Sequence, residues 1–463
     1  MKLLTDITPL REHPAFRRLW LGSMLSQTGS SMTNFALTLQ VWDMTRSTTA
    51  VGGLGVATLI PMLLIALPGG TLADTFDRRK LILAMTTCQT AVSGLLFAQA
   101  LIGPGSAGLW LLYALEAASS AIGAINAPAR RTLIPGLVGK EQLPSAMALN
   151  RIVFQTMMIA GPALGGVIAS VSGVKGCYLV DAITFAGSFY GVGRLPAMPR
   201  KGTRDRTRSN LALSLEGLSF IRRSQVLAGA FIADVSATFF ALPLSLFPAI
   251  NAERFGGDPR ILGLMPAAIG VGGMITAVLA GPVRRVSRHG LAMLVCVGVW
   301  GLSFAVFAVA PWLWLTLLAL AMAGAADTYT VVFRGVIVQT VTPDEFLGRV
   351  NAADYVVGAG GGQLGSLEAG LVGSLTTPVI SALSGGLLTI AAAIALGAAL
   401  PGFRRYRAPD PAPNRPSNRL SCPSTPPRPP PPPRPPPPLP RPDNSKKFSN
   451  PDHDGSLGTL WCA

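Results

Sequence analysis

The sequence predicts an all-helical integral membrane protein with about twelve transmembrane helices in two similar six-helix halves. Of its 463 residues, 49% are hydrophobic and only 13% are charged, and the mean hydropathy is +0.46. A globule of this size needs more charge than that to be solvated. Long apolar stretches recur along the chain, and parts of the first half recur in the second. The lipid bilayer is therefore the first expected partner.

The predicted helices follow from length and apolarity. A stretch of roughly 20 apolar residues suffices to cross about 30 Å of hydrocarbon as a helix. The predicted spans are 17–41, 50–73, 81–102, 108–127, 147–171, 176–196, 226–250, 261–283, 290–310, 312–333, 351–375 and 379–401.

The net charge of +16 does not indicate a nucleic-acid partner, because the basic residues cluster in alternate connections between spans. One set of connections is rich in Lys and Arg and includes residues 78–80, 130–131, 200–208, 284–288, 334 and 404–407. The other set holds only Arg46, Lys175, Arg254 and Arg260. Since Lys and Arg are retained on the cytoplasmic side, both termini are expected in the cytoplasm.

An internal repeat divides the chain. The segment from Arg131 to Asn150 recurs about 200 residues later as Arg334 to Ala353. We therefore expect an N-terminal half (1–198), a linker with an amphipathic surface helix (199–225) and a C-terminal half (226–407). Residues 408–463 are Pro-rich and are expected to be extended or disordered. They serve as a linker, as a polyproline ligand, or as an out-of-frame end of a GC-rich gene.

A charged turn separates the second and third spans. Residues 70–80 read Gly-Thr-Leu-Ala-Asp-Thr-Phe-Asp-Arg-Arg-Lys and resemble the cytoplasmic loop signature of the major facilitator superfamily. The matching residues are Gly70, Leu72, Ala73, Asp74, Arg78 and Arg79, whereas Thr75 and Asp77 stand where the pattern usually has Arg and Gly. Such charges are either topology signals or a latch, in which Asp74 binds the basic cluster and a helix N-terminus across the half interface. We favour a gating latch.

The fifth span holds Gly161-Pro162-Ala163-Leu164-Gly165-Gly166. This run resembles the Gly-Pro-x-x-Gly-Gly signature of drug/proton antiporters in the same superfamily. Gly161 and Gly165 lie on one helix face and allow close approach of a neighbour, and Pro162 favours a bend. The motif is a packing element at the least, and the resemblance implies a gating role in export rather than uptake.

Carboxylates within spans are candidates for proton coupling, because each costs about 2.5 to 3.5 kcal/mol at the bilayer centre. The candidates are Asp234, Asp327, Glu116 and Glu368. The resemblance implies that the spans carrying Asp234 and Asp327 line a central cavity with the first and fourth spans. Each of the four is otherwise a hydrogen-bond partner for a neighbouring helix. Glu116 lies where many proton antiporters have Arg. Either Glu116 itself carries the proton, or the chain uses another arrangement for proton coupling. Asp43 and Asp181 are expected near the outer interface, anchored by water.

The first span has a polar stripe. Gln27, Ser31, Asn34 and Thr38 share one helix face and are expected to line the cavity. Phe239 and Tyr329 are candidates for apolar contacts with substrate, although aromatic residues in spans more often pack.

The chain is most similar to the exporter branch that includes enterobactin and macrolide efflux proteins. This resemblance rests on residues 131–150, 177–185 and 348–350. It implies a secondary transporter that exports a small amphipathic organic molecule, such as a drug or siderophore, from the cytoplasm by proton antiport, without enzymatic activity. We expect a monomer with no cofactor and no metal, because all three His lie outside the spans. The alternatives are an uptake permease and a non-transporting scaffold or sensor.

Overall fold

The protein is described here by a computed structural model covering residues 6–75, 77–103, 108–139, 141–195, 210–279 and 286–407. The chain divides after Pro409 into two units. The second unit, and with it the Pro-rich segment, lies outside the described residues. Those that are described form helices and connections with no strand.

The helices follow one another with short connections. In chain order they are α1 (Thr8–Glu12), α2 (Pro14–Thr45), α3 (Thr48–Thr75), α4 (Arg78–Ile102), α5 (Gly108–Leu137), α6 (Leu143–Ser172), α7 (Val174–Gly193), α8 (Asn210–Arg223), α9 (Gln225–Phe240), a 3₁₀ turn (Leu244–Leu246), α10 (Phe247–Phe255), α11 (Pro259–Val278), α12 (His289–Val309), α13 (Leu313–Val341), α14 (Asp344–Leu375), α15 (Pro378–Ala399) and α16 (Pro401–Arg404).

The all-helical membrane fold is confirmed. Nine segments in the described part of the chain are long and apolar enough to cross a bilayer. Three further helices, α2, α7 and α14, fall at predicted spans and are 32, 20 and 32 residues long. Their polar side chains lower their hydropathy, so the total of twelve spans stays a prediction.

Local sequence sets where several helices begin and end. Asp77 caps α4, because its Oδ1 accepts from the backbone N–H groups of Arg79 at 2.9 Å and Lys80 at 3.2 Å. Ser224 and Thr377 cap α9 and α15 in the same way. Gly173 joins α6 to α7 with φ of 70°, a conformation that favours glycine.

Two predicted spans continue further than expected. The fourth and tenth were predicted to end at residues 127 and 333, but α5 continues to Leu137 and α13 to Val341. Arg130 and Arg334, assigned from the sequence to connections, therefore lie on helices.

The seventh span, predicted over 226–250, matches an apolar segment over Gln225–Phe255 that is long enough to cross a bilayer, but its helix is not continuous. It breaks after Phe240, and Pro243 precedes the 3₁₀ turn that leads into α10. Proline has no N–H to continue the helical ladder. The Ala237 carbonyl near this end accepts from the Ala241 N–H at 3.0 Å and from the indole Nε1 of Trp300 at 3.1 Å.

Helices pack first within each half of the sequence. In the first half α2 packs against α6 and α7, and α5 against α3 and α4. In the second half α12 packs against α13 and α15, and α14 against α9. Two large contacts cross between the halves, α6 with α11 and α3 with α14. The surface between the halves thus has two helix pairs as its seams.

Candidate functional site

Glycine brings the two halves together at both seams. A Cβ atom on Gly166 of α6 would lie 2.5 Å from the Pro259 carbonyl oxygen, and one on Gly263 of α11 would lie 2.4 Å from that of Pro162. At the other seam, a Cβ on Gly52 would lie 2.9 Å from the Ser366 oxygen. No larger residue fits without moving backbone. Such small-residue faces allow membrane helices to approach closely.

Polar groups tie the halves at one end, which we call the Thr48 end, where α2 ends and α3 begins. The Thr48 hydroxyl donates to the Gly370 carbonyl at 2.8 Å, and Thr49 donates to Ser374 Oγ at 2.7 Å. Arg260 Nε donates to Ser170 Oγ at 2.9 Å. Within the described ranges, every side-chain hydrogen bond between the halves lies at this end. The halves are therefore closed at the Thr48 end.

Cavities lie between the halves and on the inner face of the first half. One, of about 220 Å³, is bounded by α2, α3, α5 and α14 and by the 3₁₀ turn after α9. Two others, of about 260 and 310 Å³, lie along α2 and α5. All four residues of the polar stripe on α2 line one or more cavities: Gln27, Ser31, Asn34 and Thr38.

Glu116 lies on α5 at the wall of two of these cavities. Its side chain is 8% exposed, and Oε1 is 2.7 Å from Thr58 Oγ1, whereas Oε2 has no hydrogen-bond partner in the described structure. The Thr58 hydroxyl is also 3.0 Å from the Leu54 carbonyl. One hydroxyl proton cannot serve both acceptors at once, so a protonated Glu116 satisfies both contacts.

Asp234 forms a buried ion pair with Arg334, from α9 to α13. Asp234 is only 4% exposed. The same guanidinium extends through Nε to Asp354 Oδ1 on α14, at 3.3 Å. One cation thus joins carboxylates from two other helices. Sequence reasoning selected Asp234 but missed Arg334 and Asp354, because it assigned Arg334 to a connection.

Asp327 lies two helical turns before Arg334 on α13 and is half-buried. The charges that act on it are those of Asp234, Arg334 and Arg151. In the described part of the chain it makes no hydrogen bond or ion pair. It therefore differs from Asp234 in being close to charges but free of a direct partner.

Arg130 lies on α5 and lines two cavities with Gln27. Its Nη1 donates to Ser23 Oγ at 2.8 Å, its Nη2 to Ser188 Oγ at 2.6 Å, and its Nε to Asn126 Oδ1 at 3.3 Å. All three partners are uncharged. Sequence reasoning had no ground for selecting Arg130 beyond the recurrence of Arg at this point of both halves.

Comparison with known proteins assigns the family. The model of the family described as "Transmembrane secretion effector" matches residues 4–424. The chain belongs to this family. It is a transporter of the major facilitator superfamily, in the exporter branch, and not an enzyme.

Curated relatives cover most of this chain. The enterobactin exporter EntS of Citrobacter koseri is 29% identical over 413 residues, which are 89% of this chain and 98% of the relative. The EntS of Escherichia coli is 28% identical over 410 residues, 88% of this chain and 97% of the relative. The protein is therefore a multi-pass membrane protein of a bacterial exporter family.

Solved structures of transporters share the fold of this chain. The nucleoside transporter NupG (D323A mutant) aligns with a TM-score of 0.68 at 14% identity, covering 83% of this chain and 99% of that one. A bacterial homologue of the iron transporter ferroportin in the inward-facing state aligns with a TM-score of 0.64 at 15% identity, covering 85% and 99%.

The glycine motif of α6 contacts both a helix of its own half and a helix of the other half. Gly161 and Gly165 face α2, where added Cβ atoms would meet Ser31 at 2.3 Å and Phe35 at 2.8 Å. Pro162 and Gly166 face α11. The motif therefore couples α2, which carries the polar stripe, to the seam with the other half.

The charged turn is described only in part. Gly70 and Asp74 lie in α3, but the Asp74 side chain is outside the described structure, so the Asp74 latch stays a prediction. Arg79 donates through Nη2 to the Gly193 carbonyl at the end of α7, whereas Arg78 is half-buried next to it. Asp77, the departure from the family pattern, is the cap of α4.

The remaining predicted residues lie away from these cavities. Tyr329 stacks on Phe333 with ring centroids 6.4 Å apart, and Phe239 packs edge-on against Phe240 at 5.2 Å. Glu368 is half-buried on α14.

Asp181 is not at an outer interface as predicted. It is 0% exposed, and its carboxylate accepts from Thr33 Oγ1 at 2.8 Å, Ser93 Oγ at 2.7 Å and Ser30 Oγ at 3.5 Å. Hydroxyl groups from α2 and α4 therefore hold it, in place of the expected water.

Proposed function

We propose that the protein exports a small amphipathic organic molecule across the bacterial cytoplasmic membrane and drives this export by exchange for protons. Both termini lie in the cytoplasm in this proposal, as the distribution of Lys and Arg predicts. The Thr48 end then faces outward, and the closed end of the half interface is the outer one. The substrate enters the cavities beside α2 and α5 from the cytoplasm.

The observation that carries the coupling proposal is a set of buried or half-buried carboxyl groups, of which Glu116 lies at the wall of two cavities. Asp234 and Asp354 share the Arg334 cation, Asp327 lies near them without a direct partner, and Glu116 has one oxygen unbonded in the described structure. A carboxyl group that changes partners between two conformations can take up a proton in one and release it in the other.

The small-residue seams support the alternating motion. Two smooth helix pairs can slide or rock with little side-chain interlock. The three hydroxyl and guanidinium contacts described at the Thr48 end then break when that end opens. The proposed units of this motion are residues 1–198 and 226–407, joined by the linker over 199–225.

Reconstituted vesicles test this function. The purified protein is placed in proteoliposomes with a pH-sensitive dye inside, and amphipathic compounds are added one at a time, a siderophore of the catecholate class among them. Substrate-driven proton movement is expected for the transported compound, in the direction opposite to the substrate. Proton movement in the same direction as the substrate indicates an uptake permease, and none for any compound indicates a scaffold or sensor.

A further inference from the structure

Arg130 and Arg334 occupy corresponding places in the two halves. The same separation along the chain that pairs Arg130 with Arg334 also pairs other residues of the two halves that are equally buried. These pairs are Leu133 with Ile337 and Ala146 with Val350, and all four are 0% exposed. The structural register is thus shifted by one residue from the sequence match of Arg131 with Arg334.

The same offset continues into the next helix of each half. It pairs Gly161 with Gly365, and both press against the first helix of their own half. An added Cβ on Gly161 would meet Ser31 of α2, and one on Gly365 would meet the Thr238 and Phe239 oxygens of α9 at 2.4 and 2.5 Å. Ser31 therefore corresponds to Thr238.

Two further pairs follow from this register. One helical turn before Ser31 and Thr238 lie Gln27 and Asp234, and the offset that relates the two Arg residues pairs Asn150 with Asp354. In the second half the guanidinium meets two carboxylates. The corresponding residues of the first half, Gln27 and Asn150, have neutral amide side chains.

The difference leaves a cation without a counter-ion in the first half. Arg130 has only hydroxyl and amide partners, and none of the described residues brings a carboxylate to it. An unpaired charge in a partly dehydrated site is costly and is seldom kept without a use. Arg334 shows how this fold compensates an Arg at the same place when the charge is structural.

The described partners of Arg130 do not use all of its N–H donors. A guanidinium has five N–H groups, and three are used by Ser23, Ser188 and Asn126. The other two, one on each terminal nitrogen, have no partner among the described residues and can bind a ligand. Arg130, Gln27 and Asn150 line the same cavity of about 260 Å³, and both amides can donate further hydrogen bonds.

We infer that Arg130, Gln27 and Asn150 form a subsite for an anionic group of the transported molecule, of the carboxylate class. This inference rests on the proposed export function and narrows its substrates to organic anions. Charge-assisted contacts to a guanidinium are among the stronger hydrogen bonds in proteins. The anionic group would lie against the first half while the second half, with its carboxylates, handles protons.

A matched ligand pair tests the subsite by binding alone. Dansylglycine carries a carboxylate, and dansylglycinamide replaces it with a neutral amide of the same size. Each is titrated by fluorescence into the full-length protein in nanodiscs of neutral phosphatidylcholine, which keeps anionic headgroups from occupying the site. We expect tighter binding of dansylglycine by the native protein. In Arg130→Gln that binding weakens roughly tenfold or more, since a hydrogen bond to a charged group contributes about 1.5–3 kcal/mol, while binding of the amide stays within about twofold.

Two controls separate ligand contact from folding. Arg130→Lys keeps the charge and should retain part of the carboxylate preference, whereas Lys175→Gln removes an exposed cation near the start of α7 and should leave the preference intact. Equal binding of the two ligands by the native protein overturns the inference. Equal loss of both ligands in Arg130→Gln also overturns it, because it indicates a structural role.

The subsite and the export proposal fail separately. A carboxylate preference that depends on Arg130, in a protein that moves no protons with its substrate, would leave the subsite and remove proton antiport. Proton-coupled efflux that is seen only for neutral or cationic compounds would leave proton antiport and remove the subsite.

Discussion

At the scale of single residues, Asp234 and Asp327 are no longer equivalent. The sequence ranked them level, but Asp234 is ion-paired with Arg334 whereas Asp327 has no direct partner in the described structure. Neutralising Asp327 removes a titrating group without breaking a pair. We expect Asp327→Asn to keep its thermal stability and substrate exchange while losing uphill, proton-driven efflux. Counterflow and efflux assays on the same vesicles check this, and full uphill efflux in the variant would exclude Asp327 as a carrier.

Neutralising Asp234 should affect folding as well. Removing one partner of a buried pair costs about 3–5 kcal/mol, because the other charge is left uncompensated. Asp234→Asn is therefore expected to lower the melting temperature, and the double variant Asp234→Asn with Arg334→Gln should recover part of the loss. Thermal unfolding of the three purified proteins measures this. A single variant as stable as the parent would mean that Asp354 alone holds Arg334.

Functional residues could be predicted from the sequence where a polar or charged side chain lies within an apolar span. The polar stripe of Gln27, Asn34 and Thr38 and the buried Glu116 attracted notice as polar groups in apolar spans, and all lie at cavity walls. Arg130 escaped notice because a basic residue near the end of an apolar run looks like a topology signal. Only the burial register of the two halves distinguishes it.

At the scale of helices, the seam between α6 and α11 depends on glycine. An added methyl at Gly166 would meet backbone at Pro259, whereas one at Gly94 on α4 would meet nothing within 4 Å. Gly166→Ala should therefore separate the halves near the Thr48 end and cost about 1–3 kcal/mol by overpacking, while Gly94→Ala stays neutral or gains slightly. Labelling of Thr38→Cys from outside intact cells should accelerate only in Gly166→Ala. The same labelling rate in both variants would show that this seam is not a gate.

The charged turn makes a separate prediction at this scale. Asp74→Asn changes little volume but removes the charge proposed for the latch, so insertion should be normal and transport slower. The amount of protein in the membrane checks the expected insertion, and initial efflux rates check the expected slowing of transport. If the parental rate persists, the turn acts only as a topology signal.

Helix positions were predicted well because apolar length is a local property. The predicted helix starts lie within a few residues of the observed ones, except that α14 begins at Asp344 rather than at 351. The prediction missed the break after Phe240 and the continuation of α5 and α13. Both errors arise from tertiary context. Pro243 can be accommodated within or outside a helix, and polar residues such as Arg130 can extend a helix when hydroxyl groups from other helices receive them.

At the scale of the whole molecule, orientation decides what the closed end means. With both termini in the cytoplasm, the connection near Gly105, which lies outside the described residues, faces outward and that near Asp77 faces inward. A variant lacking the native Cys, with one Cys returned at either place, should react with an impermeant maleimide outside the cell only at residue 105. Labelling at residue 77 alone would invert the topology and place the closed end inside.

The buried carboxyl of Asp181 has a consequence for biosynthesis. Alone in lipid, α7 carries a side chain that costs about 2.5–3.5 kcal/mol at the helix centre, and the hydroxyl groups that receive it are on α2 and α4. Both donors precede α7 in the chain, so they have already left the ribosome when Asp181 emerges. Translation order thus supplies the partners before the polar helix must enter the bilayer. A gene rearranged to begin at α7 would present that helix to the translocon with no partner waiting.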